Sequence, residues 1–576
     1  MANIEWRSWS KSAFEDAAES GKPVLLAIGA KWCHWCHVMD EKTYSDQRVV
    51  DAINKSFIPV RVDADREPDI NARYNMGGWP STVFLTADRD VITGTTYVPP
   101  DQMLTVLERV SSAYSERVEE IKDKAKQARV DTEEAFRSAG RGTSRAEDVD
   151  KALDLLRSSY DAEHGGFGTS QKFPHPSALT FLLSVYESRG GEEDLLMATD
   201  TLDAMLAGEM FDPVEGGMYR YATRPDWTAP HTEKLLSENA RMASVFLDAY
   251  RVAGKAEYLQ AARSLFAYME GNLMDPETGL FYGSQQASEQ YYSADAETRK
   301  SLTAPPIDEA FYTDSNAILA RAYLKLYGIG RVVDARDKAL RIVSRLNHLG
   351  RSDCGTVPHY LEGGAVYAHG ILSDSAELVL ANVVCAEATG DDAYVRAAQE
   401  LLESVFDAFG SDSGAFYDVS EARAEFRGLS RYSTPVEENA ALALSFVKLA
   451  DLTEDEAYRL SARRVLDALA GQFDNYGIMG CSYPTVLEVL NSTPLLVTIH
   501  ADPGTEEADA FIQASLGACG ANCTVRTVPA EGEQPAASVC LGPVCRIRVT
   551  DPEELAQALS EVTAESMAES AFEPEA

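Results

Sequence analysis

Basic side chains are scarce in this sequence, and long apolar runs are missing. Its 576 residues include 52 Lys and Arg against 91 Asp and Glu, which gives a formal net charge of −39. Because the phosphate backbone of nucleic acids attracts basic surfaces, this balance excludes nucleic acid as a partner. No segment approaches the roughly 18 apolar residues of a membrane-spanning helix, so we expect no membrane partner. The first residues lack the basic start and apolar stretch of a signal peptide, which predicts a cytoplasmic protein.

Lysine is the scarcer of the two basic residues. We count 16 Lys, so 36 of the 52 basic residues are Arg (52 − 16). The carboxylates are spread along the chain. Such a surface keeps a protein dissolved in a salt-filled cytoplasm, where ions screen the repulsion between like charges. We therefore expect a halophilic protein, with an ordinary acidic protein as the alternative.

Nine cysteines are present, and two of them form the motif Cys33-x-x-Cys36. The motif directly follows an apolar run of strand length, residues 23–28, as a buried parallel strand requires. A thiolate is stabilised at the N-terminus of a helix, and a second cysteine one turn later can resolve a mixed disulfide. We therefore predict Cys33 as the attacking thiol and Cys36 as the resolving thiol. His34, when protonated, would favour the Cys33 thiolate.

The elements after the motif complete the pattern of a thioredoxin-like fold. We predict a helix over 36–57, a strand over 58–63, a short helix over 69–76, and strands over 81–86 and 91–97. In such folds a cis-proline faces the cysteine pair, and Pro80 stands just before the third strand. We therefore predict a cis Trp79–Pro80 bond and include Pro80 in the catalytic site.

Three other interpretations of the cysteine pair stay open. With His37, the motif also spells the attachment sequence of c-type haem, although haem attachment normally requires export. Cys33 and Cys36 could instead bind zinc together with His34 or His37. The pair could also be structural and redox-silent. Our prediction is a redox pair with no metal and no cofactor.

From about residue 146 the chain is helical and repetitive. A loop signature recurs, in which an acidic residue is followed within a few positions by glycine and an apolar or aromatic residue. An amphipathic helix precedes each loop, and an Ala-rich helix follows most of them. Because a lone hairpin cannot bury its apolar face, the stack must close, which predicts an (α/α)6 toroid. The six copies occupy residues 161–167, 212–218, 275–281, 353–357, 412–416 and 474–478.

In a toroid, the loops before the inner helices surround one end of a central cavity. These loops are rich in aromatic, acidic, His and Asn residues, which suit a sugar pocket because aromatic faces stack and polar groups bind hydroxyls. Paired carboxylates suit acid–base chemistry there, and a histidine suits proton transfer. The alternative is that these residues only cap helices and form tight turns. The predicted substrate-binding residues are Lys172, Tyr219, Arg220, Trp227, His231, Glu233, Lys234, Glu238 and Asn239.

The end of the chain has strand and helix patterns of a small α/β domain. Its four cysteines leave three alternatives open: a zinc site, a second redox pair, or small buried thiols, of which we expect the last. These cysteines are Cys519, Cys523, Cys540 and Cys545.

Together these patterns predict a multidomain protein with three domains. The first is a thioredoxin-like α/β domain over residues 1–140. An all-α (α/α)6 toroid follows over residues 146–485, and a small α/β tail domain occupies residues 492–576. The length of 576 residues agrees with this division, because it is too great for a single hydrophobic core.

Several motifs resemble a known family. The stretch Lys31-Trp32-Cys33-His34-Trp35-Cys36-His37-Val38-Met39 is similar to the CHWCHVM hallmark of thioredoxin-domain proteins related to spermatogenesis-associated protein 20. Further similar stretches are residues 61–69, 77–80, 165–167, 172–174 and 227–234, with a weaker match over 539–552.

The resemblance implies a thioredoxin-like domain fused to a six-hairpin glycosidase-like barrel, similar to sugar epimerases and hydrolases of that fold. It implies no established reaction. This chain departs from the family at Thr232, where the family usually has Phe. The family's DAD segment survives only as Asp295-Ala296-Glu297, and the chain is shorter than typical members.

Three functions follow as hypotheses. The first is a thiol–disulfide oxidoreductase, or a redox-regulated protein, that uses Cys33 and Cys36 and has a thiol or disulfide protein as partner. The second is a sugar-active enzyme, epimerase-like or hydrolase-like, with a sugar-like small molecule in the barrel. The third is a non-catalytic binding module. The complete cysteine motif and Pro80 favour the first, whereas the second rests on analogy of fold.

Overall fold

The structure, a computed structural model, describes residues 3–140, 142–532 and 534–570. The chain folds into two compact units. The N-terminal unit comprises Met1–Ser138, Gln285–Asp308 and Asp418–Ser433. The barrel unit comprises Ala139–Ser284, Glu309–Tyr417 and Thr434–Ala576. The end of the predicted tail domain, residues 571–576, lies outside the described residues.

Helices and strands alternate at the start of the N-terminal unit. In chain order they are α1 (Lys11–Ser20), β1 (Val24–Gly29), α2 (His34–Lys42), α3 (Gln47–Ser56), β2 (Ile58–Asp63), α4 (Pro68–Tyr74), β3 (Ser81–Leu85), β4 (Val91–Thr95), α5 (Pro100–Glu116) and α6 (Val118–Ala139). The strands form one sheet in the order β2-β1-β3-β4. Strand β1 runs parallel to β2 and antiparallel to β3, and β4 is antiparallel to β3. This arrangement confirms the predicted thioredoxin-like fold.

The central strand is apolar because both faces of the sheet are covered. Leu25 and Leu26 have no exposed surface, and Leu25 lies opposite Phe84 of β3. One expectation was wrong in detail, since the helix predicted over 36–57 is two helices. Asp46 begins the second by accepting the Arg48 amide at 2.9 Å, which is the standard N-cap interaction.

Two segments from later in the chain also belong to the N-terminal unit. Residues 285–308 contain short helices at Glu289–Tyr292 and Ala296–Arg299, and residues 418–433 contain a helix at Glu421–Arg427. The sequence analysis counted both segments in the toroid, because their composition carries no sign of contacts with residues several hundred positions away.

Buried ion pairs fasten the second of these segments to α4. The Arg423 guanidinium donates two hydrogen bonds to the Asp69 carboxylate, both 2.9 Å long. The Asp69 side chain has no exposed surface, and that of Arg423 is 8% exposed. Burial by itself would raise the pKa of Asp69, but the charge and hydrogen bonds of Arg423 hold it below its usual value. Arg73 binds Asp418 in the same bidentate way, at 2.5 and 3.0 Å.

The barrel unit is a succession of helical hairpins. In chain order its main helices are α7 (Glu147–Ser159), α8 (Pro176–Arg189), α9 (Glu192–Ala207), α10 (Leu236–Ala253), α11 (Ala256–Tyr268), α12 (Thr313–Gly328), α13 (Asp334–Asn347), α14 (Leu372–Thr389), α15 (Asp392–Phe409), α16 (Val436–Thr453), α17 (Glu456–Ala470) and α18 (Ser482–Asn491). Among the described residues, no helix combines the length and apolarity that crossing a bilayer would need.

The even-numbered helices form a closed inner ring. Helix α8 packs on α10, and contacts continue through α12, α14 and α16 to α18, which returns to α8. The odd-numbered helices pack outside this ring, as in the pairs α10–α11 and α14–α15. The ring confirms the predicted (α/α)6 toroid.

A buried asparagine in the first turn of three inner helices fixes the preceding loop. The Asn239 side chain accepts the Met218 amide at 2.7 Å and donates to the Met218 carbonyl at 3.1 Å. Asn316 and Asn439 make the same pair of bonds in the third and fifth repeats. All three asparagines have no exposed surface. The bonds therefore hold each loop against the N-terminal end of its inner helix.

The tail domain repeats the sheet topology of the N-terminal unit. Its elements are β5 (Leu495–His500), α19 (Glu506–Ala518), β6 (Cys523–Val528), β7 (Ala536–Leu541), β8 (Val544–Val549) and α20 (Leu555–Ser570). The strand order is β6-β5-β7-β8, with β5 parallel to β6 and antiparallel to β7, and with β7 antiparallel to β8. The loop after the first strand, residues 501–505, contains no cysteine. The tail therefore has no counterpart of the Cys33-x-x-Cys36 motif.

The four tail cysteines form two disulfides, Cys519 with Cys523 and Cys540 with Cys545. The expectation of buried free thiols was therefore wrong. Both pairs are close in sequence, and the β7–β8 hairpin places Cys540 directly opposite Cys545.

We predict that Arg423→Ala lowers the protection of the α4 amides in hydrogen exchange of the full chain. Removing one partner of a buried ion pair leaves an unpaired buried charge and costs about 3–5 kcal/mol. The equilibrium constant for local opening should therefore rise, and the protection factors of the amides fall, by some two to four orders of magnitude. Lys124→Ala is the matched control, because its pair with Glu120 is exposed and such pairs contribute about 1 kcal/mol or less. Equal effects of the two substitutions would contradict the role given to Asp69 and Arg423.

Candidate functional site

Cys33 is the N-cap of α2. Its backbone is extended, and its sulfur accepts the amide hydrogen of Cys36 at 3.2 Å. The sulfur therefore lies where the unpaired amides and the dipole of the helix favour negative charge. Both cysteines are thiols in the structure, and each is 4% exposed.

The second cysteine has a raised pKa. A hydrogen bond to Cys33, followed by burial and the charge of Cys33, raises the pKa of Cys36 far above its usual value. A protonated Cys36 thiol donates to the Cys33 sulfur, and a helix N-terminus stabilises a thiolate there. The predicted roles, with Cys33 as nucleophile and Cys36 as the resolving thiol, remain a prediction, and this geometry is compatible with them.

The predicted cis Trp79–Pro80 bond is confirmed. Trp79 packs edge-to-face on Trp32 with ring centroids 5.6 Å apart, and the Trp32 indole donates to Asp65 at 2.6 Å. His34 lies in the first turn of α2, edge-to-face with Trp35, whose side chain is 41% exposed. Trp35 is thus an exposed aromatic surface beside the cysteine pair.

A carboxylate of segment 285–308 also lies close to the motif. Asp308 pairs with Lys31, directly before Trp32, and with Arg66 of the loop after β2, each at 3.0 Å. Asp308 is itself buried, with 2% of its surface exposed. Segment 285–308 therefore contributes a buried carboxylate that binds Lys31, two residues before Cys33.

In the barrel, Lys172 and Lys234 hold loops, in contrast to the ligand-binding role predicted for them. Lys172 donates to Asp161 at 2.8 Å, and Lys234 donates to Asp212 at 2.7 Å. Both lysine side chains have no exposed surface. Each lysine pairs with the aspartate that begins its own loop. The acidic residue of the repeated loop signature therefore binds a lysine within the fold.

Three further candidates are also buried and engaged within the fold. Asn239 fixes the second loop, and the Trp227 indole donates to the His164 carbonyl at 3.1 Å. Trp227 is 1% exposed and Tyr219 is 4% exposed. These side chains shape the loops from inside, which corresponds to the structural alternative given for them above.

The structure does bring four predicted residues together at the start of α10. Arg220 Nε lies 4.0 Å from Glu238, and His231 Nδ1 lies 4.0 Å from Glu233. His231 stacks on Tyr221 with ring centroids 4.7 Å apart. We refer to Arg220, His231, Glu233 and Glu238 as the mouth cluster.

Glu238 is the titratable member of the mouth cluster. The Glu238 side chain is 35% exposed, and partial burial of its carboxyl raises the pKa to about 7. The charge of Arg220 opposes this shift, and that of Glu233 adds to it. A carboxyl that stays protonated near neutral pH suits a general acid.

The sequence analysis missed a second group, centred on Arg241 one turn further along α10. Arg241 pairs with Glu377 at 3.3 Å and with Glu437, and Arg321 also binds Glu377. Burial and the neighbouring charge of Glu437 raise the pKa of Glu438 to about 8. A usable signal existed in the sequence at the start of these inner helices. Arg241 directly follows the stretch Ser237-Glu238-Asn239-Ala240, and Glu377 directly follows the similar stretch Asp374-Ser375-Ala376.

One cluster has the donor types of a metal site. Ligand atoms of Asp314, His359 and Asp374 all lie within 4.8 Å of one another. His359 Nδ1 contacts the Asp374 carboxylate at 2.9 Å, and burial raises the pKa of Asp374 to about 6 against the opposing charge of His359. The sequence analysis predicted no metal here. The same geometry also makes a His–Asp pair for proton transfer.

The fold and the capped cysteine pair define a thioredoxin-like protein joined to a helical toroid. Comparison with known proteins agrees, since residues 1–132 match the family model Thioredox_DsbH, described as a protein of unknown function, DUF255. This match covers the N-terminal domain and not the toroid. The resemblance to spermatogenesis-associated protein 20 is likewise confirmed by the curated relatives.

The chain is 30% identical over 308 residues to human spermatogenesis-associated protein 20, which is 49% of this chain and 39% of the human protein. An uncharacterized protein of Caenorhabditis elegans is 30% identical over 305 residues, 49% of this chain and 41% of its own length. The chain thus matches about two fifths of the length of these relatives. The thiol:disulfide interchange protein DsbD of Campylobacter jejuni is 29% identical over 90 residues, 15% of this chain and 16% of its own length.

Solved structures also resemble the chain. A sugar epimerase from a ruminal bacterium covers 56% of this chain and 86% of its own length, with 16% identity and a TM-score of 0.46. The GH76 alpha-mannanase BT2949 of Bacteroides thetaiotaomicron covers 60% of this chain and 95% of its own length, with 14% identity and a TM-score of 0.45. Similarity at this level carries no information about activity.

We predict that Glu238→Gln stabilises the protein relative to wild type as pH rises. A carboxyl with a raised pKa in the folded state keeps its proton after the unfolded chain has lost it, so wild-type stability falls between about pH 4.5 and pH 7. The difference in urea midpoint between variant and wild type should grow across this window and level off above it. Exposed Glu163 supplies the control through Glu163→Gln. A difference that does not change with pH would contradict the assignment.

Proposed function

We propose that this protein is a thiol–disulfide oxidoreductase that uses Cys33 and Cys36. The observation that carries the proposal is the Cys33 sulfur at the N-terminus of α2, where it accepts the Cys36 amide. The hydrogen bond between the two side chains, together with burial, raises the pKa of the Cys36 thiol. The relationship to a thiol:disulfide interchange protein supports the same proposal.

The reaction transfers two electrons and proceeds in two displacement steps. The Cys33 thiolate attacks one sulfur of a partner disulfide, and the other partner sulfur leaves as a thiolate. Cys36 then loses its proton to the departing thiolate or to water and attacks the Cys33 sulfur. The Cys33–partner bond breaks, the partner leaves as a dithiol, and Cys33–Cys36 is oxidised to the disulfide. The reverse sequence oxidises a partner dithiol.

The partner and the location form part of the same proposal. Trp35 is 41% exposed beside the motif and gives an apolar contact for a protein that presents a disulfide. We propose a cytoplasmic location, in which the salt tolerance expected from a net charge of −39 would be of use.

A second candidate function belongs to the barrel, where the mouth cluster favours acid–base chemistry on a sugar-like molecule. Glu238 has a pKa of about 7 and therefore holds a transferable proton near neutral pH. The stacked rings of Phe173, Tyr221 and His231 offer an aromatic wall, with centroid separations of 4.7 Å at each step. Aromatic walls with adjacent carboxyls suit sugar rings.

For the first function, we predict that Cys36→Ser traps mixed disulfides and that Cys33→Ser traps none. Without Cys36 the first step still occurs, but the intermediate cannot resolve. The two purified full-length variants are incubated with a lysate under high salt, and adducts are resolved by non-reducing electrophoresis and mass spectrometry. A serine differs from cysteine by one atom at either position, so each variant controls for the fold of the other.

Equal trapping by both variants, or none with either, would contradict the roles given to Cys33 and Cys36. Wild type should also reduce the disulfides of insulin, and each single variant should do so at least tenfold more slowly. Unchanged insulin reduction in Cys33→Ser would contradict the proposal independently of any trapped partner.

For the barrel, we predict sugar binding that depends on the aromatic wall. Saturation-transfer NMR with a panel of monosaccharides and disaccharides should show binding to wild type. Tyr221→Leu should weaken it at least tenfold, because Tyr221 lies between Phe173 and His231 and the three-ring stack is lost without it. Trp35→Leu in the N-terminal unit should leave sugar binding unchanged. No binding from any member of the panel would contradict the second function and leave the first untouched.

A further inference from the structure

The inner ring surrounds a cavity of about 320 Å³. A volume of this size accommodates a small molecule and excludes a folded protein. Most of its lining comes from the inner helices, but the tail domain supplies one side, with Leu516, Cys519, Ala521, Cys523 and Val525 among the lining residues. The tail is therefore part of the cavity wall.

Two of the tail cysteines lie in this wall. Cys519 ends α19, Cys523 begins β6, and the two are joined as a disulfide across three intervening residues. Their Cα atoms are 5.4 Å apart, which is a usual separation for a disulfide. Cys523 is 2% exposed, and Cys519 is the more accessible of the two. The other tail disulfide, in the β7–β8 hairpin, is not among the lining residues described for this cavity.

A barrel lysine stands directly beside Cys523. Lys448 Nζ donates to the Cys523 carbonyl at 3.0 Å and to Glu387 at 2.9 Å. Glu387 also accepts the Val525 amide at 3.1 Å. This cation is held against the backbone of Cys523, and both residues lie in the cavity wall.

We propose that Cys519–Cys523 is a second redox site, which exchanges with a low-molecular-weight thiol that enters the barrel cavity. The proposal does not rest on Cys33 and Cys36, because both sulfurs of this site belong to the tail.

The exchange consists of two successive displacements at sulfur. A thiolate ligand attacks the more accessible sulfur, that of Cys519, and the Cys519–Cys523 bond breaks. Cys523 leaves as a thiolate beside Lys448, and the ligand is joined to Cys519 as a mixed disulfide. A second ligand thiolate attacks the ligand sulfur of that mixed disulfide. The products are an oxidised ligand dimer and a reduced pair, Cys519 and Cys523, which has gained two electrons.

The cavity wall indicates which thiol fits. Arg251 binds Glu187 on the wall, and a Cβ added to Gly520 would lie only 2.9 Å from Glu187, so the disulfide loop is packed closely against this carboxylate. With Lys448 and Glu387 on the other side, both signs of charge flank the disulfide. A zwitterionic ligand can exchange partners with both ion pairs and leave no charge unpaired. The ligand class is therefore an amino-acid-derived thiol.

The test uses the full chain carrying Cys33→Ser and Cys36→Ser, so that failure of this proposal is separate from failure of the first function. The chain is equilibrated with L-cysteine and L-cystine at several ratios, quenched in acid, alkylated and mapped by mass spectrometry. We expect a reversible two-electron transition at Cys519 and Cys523. Thiols at every ratio, or a disulfide that never responds, would overturn the proposal.

Two further variants in that background test the mechanism. Cys523→Ser treated with L-cystine should form a mixed disulfide between Cys519 and one cysteine, with release of the other cysteine as a thiolate. Modification of exposed Cys354 shows that the reagent is active. Lys448→Met should slow reduction by L-cysteine about tenfold and reduction by an uncharged phosphine much less. Both reductants expel a thiolate from the disulfide, but only L-cysteine enters the cavity as a zwitterion. An unmodified Cys519 beside a modified Cys354, or equal slowing of both reductants, would overturn the site described here.

Discussion

The hydrogen bond from the Cys36 amide to the Cys33 sulfur holds the first turn of α2, and the N-terminal domain is arranged around that turn. Strand β1, which is buried over Val24–Ile28, places Cys33 just beyond the end of the sheet, and the helix that follows supplies the unpaired amides. The hydrogen bond with Cys33, together with burial, raises the pKa of Cys36. The capping interaction thus fixes the position of the Cys33 sulfur relative to Cys36, and the proposed reaction depends on that placement.

The barrel relies on a different constraint, the pairing of buried polar groups in its loops. Asn239, Asn316 and Asn439 each satisfy a loop amide and a loop carbonyl, and Lys172 and Lys234 neutralise the acidic residue of their own loops. These groups are buried and therefore costly to leave unpaired. With the loops fixed in this way, the residues at the inner-helix starts, among them Glu238 and Glu438, are held at one end of the ring. The chemistry proposed for the barrel rests on that placement.

The sequence predicted the two main folds because both have local signatures: a cysteine pair after an apolar strand, and a loop motif that recurs with each hairpin. It did not predict that residues 418–433 join the N-terminal unit, because the Asp69–Arg423 pair spans 354 positions and no local pattern records it. It also assigned Lys172, Lys234 and Asn239 to ligand binding. The residue type alone does not show whether a polar side chain is paired within the fold or available to a ligand. Arg241 and Glu377 were missed because their importance comes from neighbours on other helices.

The most direct test of the central claim is the redox equilibrium of Cys33 and Cys36 in the full chain. The protein is equilibrated in high salt with glutathione buffers of known ratio, alkylated, and analysed by peptide mass spectrometry. We expect the pair to show a single reversible two-electron transition, in which a tenfold change in the equilibrium constant corresponds to about 30 mV. We also expect Cys33, and not Cys36, to carry glutathione at intermediate ratios. Two thiols at every ratio would contradict the claim and leave the cysteine pair a structural feature of the fold.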